Sequence, residues 1–136
     1  MPSVRVLIAD DNPEIISVIK ETLRTTFDVV GSFSDGESVL LKAPLLHPDV
    51  IVLDISIPDM NGFEILRRLK QMECPAKVVF LTVHEGEDFV RAALEMGALG
   101  YVFKSKLVTD LPVAIQEVNA GHHFIPVGLE YENLIP

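Results

Sequence analysis

Asp10, Asp11, Asp54, Thr82 and Lys104 each stand directly after an apolar run. Residues 4–9 lead to Asp10-Asp11, residues 50–53 to Asp54, residues 77–81 to Thr82 and residues 101–103 to Lys104. Carboxylates brought together in a small volume repel one another and hold raised pKa values unless a cation lies among them. Hard oxygen donors with room for water suit Mg²⁺ better than zinc. One ion, one spare carboxylate oxygen, one ammonium and one hydroxyl are the parts needed to move a phosphoryl group onto an aspartate. The ion and the lysine would neutralise its equatorial oxygens, the hydroxyl would hydrogen-bond one of them, and the carboxylate would be the nucleophile. Taken singly, each residue has an ordinary reading as a solvated turn, a helix cap or a surface charge. Their recurrence at the ends of separate apolar runs sets the group apart.

The elements that must position these residues can be read in order. Residues 4–9 form a strand, and Asn12-Pro13 supplies an N-cap and first-turn proline for a helix striped by Ile15, Val18, Ile19 and Leu23. A second strand, weakened by Gly31, spans residues 28–33, and Ser34 with Glu37 reads as a capping box for a second helix that ends or kinks near Pro44. Residues 50–53 are apolar without alternation, as in a central parallel strand covered on both faces. Asn61 and Glu64 cap a third helix carrying Ile65, Leu66 and Leu69. The fourth strand covers residues 77–81, and Phe89, Ala92, Ala93 and Met96 stripe a fourth helix stopped by Gly97. A short fifth strand, 101–103, precedes a fifth helix striped by Leu111, Ala114, Ile115 and Val118 and ending before Gly121. Alternation of this kind predicts an α/β fold, a doubly wound five-stranded parallel sheet with five helices. In such a sheet all carboxyl ends of the strands share one edge, where ligands bind, so the chemistry-bearing residues converge there.

The length fits one domain and the 49% apolar content a filled core. No apolar run approaches the ~20 residues that span a bilayer, and two aspartates interrupt the N-terminal region where an export signal would still be apolar. Cys74 is the only cysteine, which fits a reducing cytosol, so a cytoplasmic location without membrane contact is expected. A net charge of −9 makes the chain a poor partner for a phosphate backbone.

With these residues in place, the sequence resembles a response-regulator receiver domain of two-component signalling. The segments that carry the resemblance are VLIADDNP, DVIVLDISIPDMNGFE, KVVFLT and MGALGYVFK, from about Val4 to Lys104, with the fifth helix extending it to about Gly121. MGALGYVFK and NAGHHFIP are most similar to the NarL/FixJ type. The resemblance implies a flavodoxin-like strand order 2-1-3-4-5. It implies Asp54 as the acceptor of a phosphoryl group from a sensor histidine kinase, with Mg²⁺ bound by Asp11 and Asp54, by Asp10 largely through water, and by the backbone carbonyl of Ser56. Thr82 and Lys104 would hold the phosphoryl oxygens, and Thr82 with Tyr101 would form the conformational switch. The implied output is control of transcription through a DNA-binding domain not in this chain, with a phosphorylation-promoted homodimer on the face of the fourth helix, fifth strand and fifth helix, or on the first and fifth helices. Catalysis would be limited to self-phosphorylation and autodephosphorylation.

Residues 1–121 are therefore expected to be the receiver and 122–136 a tail or the start of an interdomain linker, the output domain being absent. Three residues depart from the common receiver pattern. Val83 stands where a small residue is usual; its β-branched side chain would either narrow access to Asp54 and slow phosphorylation or, with its stiff χ1, point away. His84 stands at a position that can influence how water reaches the acyl phosphate, but as a lone histidine beside a site it is expected to be a solvated loop residue. Ser105 replaces a proline that is often cis, and a trans bond is expected because a non-proline cis bond costs ~2.5–4 kcal/mol. His122-His123 reads as an ordinary turn, and Leu129, Leu134 and Ile135 in the tail are free to fold back on the domain or to mediate contacts. The competing enzyme reading is a haloacid-dehalogenase-like phosphatase, which uses a D-x-D pair; here Asp54 is followed by Ile55-Ser56, and no second acid stands at that spacing.

Overall fold

The computed structural model describes residues 3–129. Strands β1 (Arg5–Ala9), β2 (Asp28–Phe33), β3 (Val50–Leu53), β4 (Lys77–Thr82) and β5 (Gly100–Phe103) alternate with helices α1 (Pro13–Leu23), α2 (Gly36–Leu46), α3 (Gly62–Gln71), α4 (Glu87–Glu95) and α5 (Leu107–Asn119). The strands form one parallel sheet in the order β2-β1-β3-β4-β5, as expected. Side chains alternate across it. Leu7, Ile51, Leu53 and Phe80 face a core shared with α2, α3 and α4, whereas Val6, Ile8, Val52 and Leu81 face a core shared with α1 and α5. All four residues of β3 are buried, which accounts for its unbroken apolar sequence.

Local sequence starts and stops the helices at the site edge. The Asn12 side chain accepts from the N–H groups of Glu14 and Ile15 and opens α1 with Pro13 at its first position. Asn61 caps α3 by accepting from the Glu64 N–H. Gly97, with φ +99°, lies just past α4 in the left-handed region that glycine favours.

Two helix expectations are corrected, the cap of α2 and the buried stripe of α4. The cap of α2 is Asp35, one residue after Ser34; its carboxylate accepts from both the N–H and the hydroxyl of Ser38, which a charged acceptor does better than a hydroxyl. The end of α2 falls near Pro44, as expected: the proline lies inside the last turn, and the helix runs two residues on to Leu46 and stops at His47 in the left-handed conformation. One forgone backbone bond in the last turn does not break a helix whose inner face, Val39 and Ala43, is packed in the core. In α4 the buried stripe is Val90, Ala93 and Leu94, rotated by one position from the expected one, and Phe89 is partly exposed.

Register sets the height of each functional residue. Ala9 pairs with Leu53 and Leu53 with Phe80, so Asp10 and Asp54 leave the sheet side by side. Thr82 pairs with Phe103, which places Thr82 and Lys104 on the same edge, on the strands beyond. A short 3-10 turn, Lys104–Lys106, joins β5 to α5.

Candidate functional site

Asp10, Asp54 and Thr82 are the only buried polar or charged residues among those described, at 1%, 3% and 0% exposure. All three stand at the ends of apolar strands, and burial of polar groups at such a place requires compensation. Carboxylate oxygens of Asp10, Asp11 and Asp54 lie within 4.8 Å of one another, with Asp11 exposed at the rim. Lys104 reaches back over them, its Nζ 2.9 Å from Oδ2 of Asp10 and 2.9 Å from Oδ2 of Asp54. The ammonium donates a hydrogen bond to Asp54 Oδ2. The other oxygens are met by backbone: Asn12 N–H donates to Asp10 Oδ1 at 2.9 Å and Ser56 N–H to Asp54 Oδ1 at 3.2 Å. Asp10 Oδ2, by contrast, is buried with an ion-pair contact but no hydrogen bond of proper direction.

The electrostatics follow from this geometry. Burial pushes the Asp10 carboxyl above the ordinary aspartate range, and Lys104 and the Asn12 N–H offset only part of that cost. Burial works against the Lys104 charge, yet its contacts with Asp54 and Asp10 outweigh it and hold the ammonium above the usual lysine value. Lys104 is thus cationic at neutral pH, facing an excess of carboxylate. An excess of this kind, with an orphaned buried oxygen, fits a further hard cation.

Thr82 and Tyr101 meet through His84. The His84 N–H donates to Thr82 Oγ1 at 3.3 Å, and the Tyr101 hydroxyl donates to the His84 carbonyl at 2.6 Å. Tyr101 is fully buried, its ring near those of Phe80 and Phe103 at centroid distances of 6.3 and 6.0 Å. Burial, then the charges of Asp54 and Glu85, drive its phenol far above the ordinary tyrosine range, so it is a neutral donor.

The expectation that His84 is merely a solvated loop residue is corrected. Its Nε2 lies 3.0 Å from Ser56 Oγ and its ring stacks on Phe89 at 4.3 Å, so it ties the loop after β3 to the start of α4. No spacing rule in the sequence announces that contact. Val83 is 65% exposed, so its side chain lies largely in solvent and does not fill the site. The Lys104–Ser105 bond is trans, as expected, and the Ser105 hydroxyl donates to Glu85, closing the loops after β4 and β5 over the site. His122 pairs with Glu117 at 2.8 Å in the turn after α5, in keeping with a structural role. Gly62 is required by proximity: a Cβ there would lie 2.5 Å from the Asp54 carbonyl oxygen and 2.8 Å from Ile55 Cα.

A cavity of about 470 Å³ opens at the opposite sheet edge between Ala43, His47, Asp49, Met72, Glu73 and Cys74. Its lining includes two acids, Asp49 and Glu73, but no lysine and no group of three acids, so chemistry rather than cavity size locates the site.

Comparison with known proteins agrees with this geometry. The response regulator receiver domain family model matches residues 6–116. The chain is 36% identical over 118 residues to the nitrate/nitrite response regulator protein NarL of Escherichia coli K12, covering 85% of this chain and 55% of that protein. It superposes on a LuxR-family two-component response regulator from Aurantimonas sp. SI85-9A1 with a TM-score of 0.84 at 29% identity, covering 90% of this chain and 89% of that one. The isolated REC domain of RcsB from Salmonella enterica serovar Typhimurium, solved with the phosphomimetic BeF3⁻, gives 0.86 at 27% identity over 98% of this chain and 99% of that one. The chain spans little more than half the length of the curated relatives it matches, 60% at most among those compared.

Proposed function

This chain belongs to the response regulator receiver domain family, and from that premise we propose that Asp54 takes a phosphoryl group from the phosphohistidine of a sensor histidine kinase. In the transfer an Asp54 carboxylate oxygen forms the new O–P bond as the N–P bond to histidine breaks, and the imidazole leaves with its electron pair. The observation that carries the reading is the Lys104 ammonium held at 2.9 Å from both Asp10 and Asp54. On that footing the ammonium moves from Asp54 Oδ2 to a phosphoryl oxygen without leaving the site. The Thr82 hydroxyl accepts from His84, which leaves its own hydrogen free to donate to a second phosphoryl oxygen.

Asp10, Asp11, Asp54 and the carbonyl of Ser56 would hold Mg²⁺, the orphaned Asp10 oxygen being the feature that favours a cation. Bound there, Mg²⁺ supplies positive charge to the phosphoryl oxygens. Asp10 and Asp11 have no other part in the transfer. Catalysis ends with self-phosphorylation and autodephosphorylation: the site holds no second carboxylate two residues after Asp54, where a phosphatase of the dehalogenase type needs its general acid. Incubation with a chromogenic phosphomonoester is accordingly expected to give no sustained turnover, and steady turnover would contradict the assignment.

The phosphoryl group adds nearly two negative charges. Repulsion from Asp10 and Asp11 and attraction to Thr82 and Lys104 shift a balance between existing conformations, read out through Tyr101 on the face of α4, β5 and α5. The output is control of transcription through DNA-binding parts outside these residues, since a net charge of −9 suits this chain poorly to DNA. A cytoplasmic location follows from that role; no described helix is long and apolar enough to cross a membrane. Sedimentation with and without beryllofluoride and Mg²⁺ tests the switch: a shift from monomer toward dimer is expected, and identical profiles would rule out the homodimer.

A further inference from the structure

After α5, Gly121 turns the chain with φ +90°, and the following residues return along the open edge of β5. Phe124 pairs in parallel with Gly100. Its N–H donates to the Leu99 carbonyl at 2.9 Å, and its carbonyl accepts from the Tyr101 N–H at 3.0 Å. Neighbouring side chains alternate as in a strand: Phe124 packs on the core shared with α1 and α5, Ile125 on the core that contains Tyr101. Pro126 is buried, and Leu129 returns to the same core as Ile125. A parallel strand edge left bare would expose unpaired backbone groups, and this segment pairs two of them, the Leu99 carbonyl and the Tyr101 N–H.

A continuous run of hydrogen bonds leads from the segment to the site. The Phe124 carbonyl holds the Tyr101 N–H, the Tyr101 hydroxyl holds the His84 carbonyl, and the His84 N–H holds the Thr82 hydroxyl. Swinging the Tyr101 ring out of the core would break the second of these bonds and would disturb the buried cluster to which the ring belongs and against which Ile125 and Leu129 pack. We propose that residues 124–129 are a strap that locks Tyr101 inward, so that strap docking and phosphorylation of Asp54 favour the same conformation. The second half rests on the reading of Asp54 given above; the hold on Tyr101 does not. Because coupling is reciprocal, phosphorylation must tighten the strap by the factor by which the strap favours phosphorylation. The segment after α5 thereby carries the signal itself rather than merely trailing from the domain.

The test uses the full chain labelled with fluorotyrosine, in a Tyr131→Phe background so that Tyr101 gives the only ring signal. Ile125→Ser with Leu129→Ser loosens the strap, and Ile125→Val with Leu129→Met is the packing control. Without any phosphodonor, the serine pair is expected to move the Tyr101 ring signal toward that of exposed tyrosine while the control keeps it in place. A ring signal unchanged in the serine pair, or equally displaced in the control, overturns the strap. With beryllofluoride and Mg²⁺, hydrogen exchange at the Tyr101 and Phe124 amides of the unsubstituted strap is expected to slow about tenfold, and the serine pair to bind the phosphomimetic about tenfold more weakly. Binding with unaltered exchange overturns the coupling. Failure of the phosphomimetic to bind any form refutes the Asp54 reading and the coupling with it, while the hold on Tyr101 is decided by the first arm.

Discussion

Lys104 joins the ends of three strands, since its one ammonium answers carboxylates from β1 and β3 while standing past β5. Replacing it by alanine leaves Asp10 and Asp54 facing each other without a cation. We expect Lys104→Ala to stay folded by circular dichroism and to be phosphorylated by a small-molecule donor roughly 10²-fold more slowly, the loss typical of one removed electrostatic contact in a transition state. A rate equal to the parent's would show that the ammonium is structural. Gly62 acts on the same site from behind. A methyl group there meets the Asp54 carbonyl and Ile55 backbone, neither of which can turn aside as a flexible side chain would. Gly62→Ala should therefore lower stability by about 1–3 kcal/mol in urea denaturation and slow phosphorylation in parallel; an unaffected protein would mean that the loop after β3 is free to shift. At this scale the sequence was informative about type and position, since Asp10, Asp11, Asp54, Thr82, Tyr101 and Lys104 all fall in one neighbourhood. It placed His84 beside the site but did not reveal its contacts, since its partners Ser56 and Phe89 come from other elements and obey no spacing.

Among the elements, strands were more legible than helices. An apolar run that ends in a charged or hydroxyl residue marks a parallel strand and its carboxyl end together, which is why β1, β3 and β4 are plain in the sequence. Helix phase was harder wherever tertiary contact decides it. Phe89 fits the apolar stripe of α4 by spacing, but its ring is drawn to His84, and Val90 takes the core position instead. The start of α2 shows the same override. Besides its own cap Asp35, it is held by Asp59 from the loop before α3, whose carboxylate accepts from the N–H groups of Gly36 at 2.8 Å and Glu37 at 3.1 Å. The Gly36 bond is the main cause that holds the Asp59 carboxyl below its ordinary value. A depressed carboxylate stabilises the fold above its unfolded pKa, about 3.9, and that contribution is lost as pH falls through the lower folded value. Asp59→Asn should therefore be less stable than the parent at neutral pH, and the gap should close on acidification below pH about 4. A gap in thermal midpoint that is constant with pH would show that the charge of Asp59 has no part in holding α2.

For the molecule as a whole, the sheet does two jobs. Its carboxyl edge assembles the proposed acceptor site, and its β5 edge carries Tyr101 and the segment that follows α5. The sequence pattern faded at Gly121, and residues 122–136 were expected to be a tail or linker. Within the described residues the chain stays on the domain, through Phe124 on β5 and Ile125 and Leu129 on the core, so Leu129 takes the fold-back course that the sequence left open. A single bridge and scattered apolar contacts have no periodicity, so nothing in the sequence alone could reveal them. Leu134 and Ile135 lie outside the described residues. The proposed function depends on one chemical event, the modification of Asp54 in the presence of Mg²⁺. The most direct measurement is the intact mass of the protein, and of Asp54→Asn, after incubation with Mg²⁺ and a small-molecule phosphodonor. The account predicts one added phosphoryl group on the parent, none on the variant and none when EDTA precedes the donor. Addition to the variant as readily as to the parent, or no addition to either, would contradict it.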